Sequence, residues 1–174
     1  KGELTTQGTK ITAIGPHLET PEGAKVIDCR GKALSPGIID MQNFALDGPS
    51  AAAGGITTIA LMPDLSPVVD NAAMVDYVVR LGNDNPDVHI RPIGAATQGS
   101  RGEQIAELGL MKDAGAVAFA SGRGAIADSA VMLRLLSYST RFDTLVIPHA
   151  EDPSLTEDAC MTEGELATRM GLGA

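Results

Sequence analysis

Continuous apolar runs and amphipathic stretches alternate along most of this chain. From Leu34 onward the apolar runs are "GIID" (Gly37 to Asp40), "ITTIALM" (Ile56 to Met62), "VHIRPIGA" (Val88 to Ala95), "AVAFA" (Ala116 to Ala120) and "TLVIPHA" (Thr144 to Ala150). Strands apolar on both faces are what a parallel sheet covered by helices requires. Between them lie helical patterns. Met74, Val75, Val78 and Val79 form one stripe within Asn71 to Leu81, with Asp70 or Asn71 as the cap. Ile105, Leu108 and Met111 or Lys112 fall at three- and four-residue spacing within Glu103 to Ala114, and Gly115 supplies the stop. Asp128 can cap a helix carrying Met132, Leu135 and Leu136, and Thr162 with Glu165 has the spacing of a capping box. The strand–helix repetition predicts parallel βα units.

Before Leu34 the pattern differs. "KITAIG" (Lys10 to Gly15) and "AKVIDC" (Ala24 to Cys29) alternate, and "HLETPEG" lies between them. They predict two short strands of a small antiparallel sheet. The expected organisation is therefore residues 1–33 as part of an N-terminal β-domain and 34–174 as an α/β domain. Five parallel strands are fewer than the eight that close a (β/α)8 barrel, which typically takes ~250 residues. About the first half of such a barrel is expected. One connection is short: between Asp40 and Ile56 only Pro49 to Ala53 offers a helical turn. A crossover needs at least ~10–12 residues and usually a longer helix. A missing loop and partial helix are expected there. The chain also starts at Lys1 rather than Met, as a trimmed or partly observed protein would.

Composition narrows the partners. A net charge of −9 disfavours phosphate backbones and anionic lipid surfaces, so neither nucleic acid nor membrane is expected as a partner. Cys29 and Cys160 are the two cysteines and lack CxxC spacing, which fits free thiols in a reducing, cytoplasmic setting. No apolar run approaches the ~18 residues of a membrane span. Only 3% of residues are aromatic, so the core must be built from Ala, Ile, Leu, Val and Met.

Candidate chemistry gathers where the strands end, the edge at which βα barrels bind ligands. Asp64 follows "ALMP", and Arg123 sits between Gly122 and Gly124 after the fourth run, where it can hold an anion. His149 follows the last run directly, with Glu151 and Asp152 behind it, and is a candidate metal ligand or acid–base group. Zinc needs three or four ligands. His17 lies in a polar loop and His89 at the start of a strand, at the opposite face, so neither joins it. No P-loop, GxGxxG or GxSxG motif is present.

Taken in order, "ALSPGIIDM", "AAAGGITTIALMPDLSPVVDN", "AGAVAFASGRG", "VIPHAEDPSL" and "MTEGELATRMGL" resemble dihydroorotase of the type encoded alongside aspartate carbamoyltransferase. Hydantoinases and allantoinases are relatives within the cyclic amidohydrolases. The lead-in "KITAIGPHLE" to "VIDCRGKAL" resembles that family's N-terminal β-sandwich. The resemblance implies an amidohydrolase-type (β/α)8 barrel plus part of this sandwich. It also implies a zinc enzyme that interconverts carbamoyl aspartate and dihydroorotate in pyrimidine synthesis.

The departures fall on the chemistry. The family's first barrel strand ends in Asp-Met-His-x-His, whereas Met41 is followed here by Gln42, Asn43 and Phe44. Gln42 and Phe44 thus stand at two lost ligand positions, and Ser121 stands at a third, within the family's Asp-Asp-Gly. Leu46 stands at a substrate-binding Arg and Asp64 at a substrate-binding Asn. His149 alone matches a ligand position. The expectation is a catalytically inactive dihydroorotase-like barrel that binds no zinc and assembles with aspartate carbamoyltransferase, itself a homo-oligomer. The alternative is an active zinc-dependent amidohydrolase with a rearranged site drawing on His149, Asp64 and Asp152. A third is a small-molecule binder using Arg123 and Gln42.

Overall fold

The computed structural model describes residues 2–156 and 159–173. The chain divides into two compact units, Lys1–Pro36 and Gly37–Ala174.

In the first unit, β1 (Glu3–Gln7) and β2 (Lys10–Gly15) form an antiparallel hairpin. The Thr5 and Thr12 hydroxyls meet across it at 3.0 Å, and the Leu18 amide donates to Glu3 Oε2 at 2.7 Å. The strand expected at Ala24 to Cys29 does not form. Val26 and Ile27 are over 70% exposed, so among the described residues neither face of this stretch is buried. Asp28 instead accepts from the Arg30 amide and pairs with its guanidinium, a local turn that competes with strand pairing.

The second unit is a five-stranded parallel sheet in the order β3 (Ile38–Asn43), β4 (Ile56–Leu61), β5 (His89–Ala95), β6 (Ala118–Ala120) and β7 (Leu145–Ile147). Spatial order equals chain order. Strand residues alternate between two apolar clusters, as the period of two demands. Ile59, Leu61, Ile90 and Phe119 face one side, packed with Val75 and Val78 of α2 (Ala72–Asp84), Leu108 and Met111 of α3 (Leu108–Asp113), and Val131 and Leu135 of α4 (Ser129–Ser139). Ala60, Met62, Ile93, Ala118 and Ala120 face the other side, joined by half-buried Ile147 and Phe44. Helices therefore cover one face. The opposite face sets Ala60, Ala118 and Ala120 beside the larger Met62 and Ile93.

The helix signals hold with two corrections. Asn71 caps α2, its side chain accepting from the Met74 amide at 3.1 Å, while Asp70 is spent on the Gly99 amide at 2.8 Å. Asp128 caps α4 through the Ala130 and Val131 amides. Helix α3 is half the expected length. Ile105 bridges Thr97, and the Ala106 amide donates to Ala96 O at 3.1 Å, so these residues are held extended beside the chain leaving β5. Gly115, at φ +114°, ends α3 as expected. The capping box does not form. Helix α6 (Glu165–Met170) starts after Gly164, whose backbone is extended and makes no side-chain cap; α5 (Pro153–Thr156) is a single turn.

The short crossover from β3 to β4 is made by α1 (Gly48–Ala53) alone. Asp47 caps it by accepting from the Ser50 amide at 3.1 Å, and Gly54 N–H donates back to Ser50 O and Ala51 O. Ile38 then lies beside Ile56 in parallel register.

Candidate functional site

The parallel sheet directs the ends of β3, β4, β6 and β7 to one edge, and the sequence-selected residues lie there. Asp40 anchors the end of β3. Its two oxygens accept from the Gln42 amide at 3.1 Å and the Asn43 side-chain amide at 2.9 Å. Asn43 O in turn accepts from the Met62 amide at 2.8 Å, carrying the pairing past β4. Gln42 is exposed. Phe44, just beyond the strand, is half-buried against the Ala-rich inner cluster.

Asp64 and Arg123 come together. Asp64 Oδ1 accepts from the Arg123 backbone amide at 2.9 Å. Asp64 Oδ2 is enclosed without a partner. This approach requires glycine at 122, because its φ is +79° and a Cβ there would lie 2.6 Å from Asp64 Oδ1. The Arg123 guanidinium turns back over the Phe44 ring, 4.5 Å from its centroid, at cation–π distance.

Ser121 and His149 join β6 to β7. Buried Ser121 donates its amide to Ile147 O at 3.2 Å, and its Oγ accepts from the His149 amide at 2.7 Å. His149 Nε2 lies 2.7 Å from Glu151 Oε2, and the Thr156 hydroxyl donates to Glu151 Oε1 at 2.7 Å. The Thr156 hydroxyl first, and the His149 ring second, hold the Glu151 carboxyl below the ordinary carboxylate range. The Ser154 hydroxyl and amide do the same for Asp152. A shallow, open surface depression lies beside Glu151, Pro153, Ser154 and Thr156. His89 opens β5, at the opposite end of the sheet, and Leu46 is 40% exposed.

The donor set does not fit a zinc site. Gln42 offers a weakly donating amide and Phe44 no lone pair, Ser121 Oγ is engaged with the His149 amide, and His149 Nε2 faces a carboxylate. Among the described residues, no group of three or more His, Cys, Asp or Glu side chains is placed to hold a metal ion.

Residues 34–173 match the family model described as dihydro-orotase-like. The chain belongs to the dihydro-orotase-like family. It is 39% identical to a dihydroorotase of Pelotomaculum thermopropionicum over 94% of this chain and 40% of that protein. Identity to the dihydroorotases of Citrifermentans bemidjiense and Geobacter sulfurreducens is 36%, over 93% and 98% of this chain and 41% and 43% of theirs. The chain thus spans about two-fifths of the length of these relatives. It also superposes on the L-hydantoinase of Arthrobacter aurescens with a TM-score of 0.71, covering 90% of this chain and 38% of that one, at 22% identity. That likeness shows the fold: part of an amidohydrolase-type TIM-like barrel plus a small antiparallel sheet.

The resemblance read from the motifs is the family found. Sequence reasoning missed two things at this edge. Thr156 as the second partner of Glu151 carries no motif. Nor does any local pattern signal the stack of Arg123 on Phe44, two residues far apart in the chain.

Proposed function

We propose that this chain is part of a dihydroorotase-like protein of pyrimidine biosynthesis that lacks the catalytic zinc and serves as a structural partner of aspartate carbamoyltransferase. It would act in the cytoplasm, as a homo-oligomer within that assembly. One observation carries this reading. Phe44, at the position of a family ligand His, packs its ring onto the inner floor of the sheet, and Arg123 lies over it. A metal-binding edge is open and lined with lone pairs; this one is filled with a hydrocarbon ring and a cation. The five-stranded parallel sheet and the Asn71 and Asp128 helix caps are meanwhile formed, which is what a scaffold role asks for.

The test uses the full-length gene product. Elemental analysis should give no stoichiometric zinc, the purified protein should not hydrolyse dihydroorotate, and aspartate carbamoyltransferase should co-purify with it. Stoichiometric zinc together with hydrolysis overturns the proposal.

A second reading is an active cyclic amidohydrolase with a rearranged site. Two observations favour it: His149 stands just beyond β7 at the correct edge, and Asp64 Oδ2 is enclosed without a partner. His149→Ala would then abolish activity and release metal, and unchanged activity would count against it.

A further inference from the structure

The segment Ser121 to Arg123 touches the end of every strand that borders the mouth except β5. It reaches β7 through Ser121 N–H to Ile147 O and through the His149 amide to Ser121 Oγ. It reaches the end of β4 through Arg123 N–H to Asp64 Oδ1. It reaches the end of β3 through the guanidinium over Phe44. Phe44 in turn packs against the cluster of Ala60, Met62, Ile93, Ala118 and Ala120, the inner floor of the sheet. The stack therefore covers apolar surface with a ring and covers the ring with a charge that stays in contact with water.

We propose that Ser121, Gly122 and Arg123 form an internal clasp that closes the mouth of the sheet, with the Arg123 guanidinium as its latch on Phe44. The clasp ties strand ends that a shared metal ion would otherwise tie, and it covers the inner floor beneath Phe44 with a ring and a cation. In this it rests on the reading that the edge is metal-free. The latch is local. Its hydrogen bond to Asp64 comes from the backbone of Arg123, so changing the Arg123 side chain removes the stack and leaves every other tie in place.

Hydrogen exchange of the full-length gene product, read by mass spectrometry on the peptide containing 121–125, tests the clasp. Arg123→Gln and Phe44→Leu should each speed exchange of that peptide about two- to five-fold, the size of an exposed cation–π contact. In the Phe44→Leu background, Arg123→Gln should add nothing, because the two residues act as one contact. Exchange of the α2 peptide should not change. Additive effects, no effect from either substitution, or an equal rise in the α2 peptide overturns the clasp. Zinc and EDTA arms separate this from the functional reading. If zinc slows exchange of the peptide while the coupling persists, the metal-free reading fails and the clasp stands. If the coupling is absent, the clasp fails whatever zinc does.

Discussion

Gly122→Ala is the sharpest perturbation of the strand-end edge. Two costs arise from the geometry. At φ +79° a side-chain-bearing residue loses roughly 1 kcal/mol or slightly more relative to glycine. The new Cβ would also lie 2.6 Å from Asp64 Oδ1, so the carboxylate must move and its bond to the Arg123 amide is lost. A hydrogen bond to a charged acceptor is worth about 1.5–3 kcal/mol, and the exposed donor here argues for about 1. The sum is about 2 kcal/mol, or a fall in Tm of about 4–8 °C at the ~2–4 °C per kcal/mol of a ~150–250-residue domain. Differential scanning calorimetry of the full-length protein measures it. Gly124→Ala is the control, since its φ is ordinary and a Cβ there meets nothing within 4 Å. The decisive comparison is Gly122→Ala in an Asp64→Ala background. With no carboxylate to displace, the substitution should cost only the backbone part, about 1 kcal/mol. An equal cost in both backgrounds would refute the close approach of Asp64 to Gly122.

Other expectations follow from the fold. Asn71→Ala should cost about 1 kcal/mol by removing the acceptor for the Met74 amide, and urea denaturation should show a lower midpoint at unchanged slope. Phe119→Ala should cost about 3–5 kcal/mol, because this fully buried ring fills the cluster between sheet and helices; a loss below 1 kcal/mol would mean the core does not pack this way. The Ser50 hydroxyl first and the Ser50 amide second depress the Asp47 carboxyl below its ordinary value. Its stabilising cap on α1 is therefore complete above the unfolded-state pKa of about 3.9, and is lost as pH falls through the lower folded value. The Ser50 amide shift followed by NMR should titrate in that acid range, and Asp47→Asn should abolish the titration.

Much of the sheet domain was legible because burial there follows simple periods. Val75 and Val78 sit one helical turn apart, Asn71 carries the right cap chemistry, and the β4 run alternates Ile59 and Leu61 with Ala60 and Met62 across the sheet. The failures have physical causes. Strand β1, "ELTTQ", has one apolar residue and so no alternation to detect; the turn at Gly8, at φ +59°, folds it onto β2. Ile105 has helical spacing, but pairing with Thr97 outcompetes the helix. At the strand ends, single residues were visible as candidates because polar groups after apolar runs stand out. Their contacts were not. Arg123 on Phe44 and Asp64 on the Arg123 amide join distant segments, and only the tertiary fold fixes such distances.

The sequential order of β3 to β7 bears on how this domain is made. Among the described strands of this sheet the pairing follows the chain: Ile38 of β3 finds Ile56 of β4, and each following strand pairs with the one translated immediately before it. Domains fold vectorially as they leave the ribosome, and long-range pairing is what slows β-rich topologies. Here each crossover helix brings the next strand to an edge already standing. The nascent sheet can thus grow outward one unit at a time, with the newest strand always serving as the template for the next.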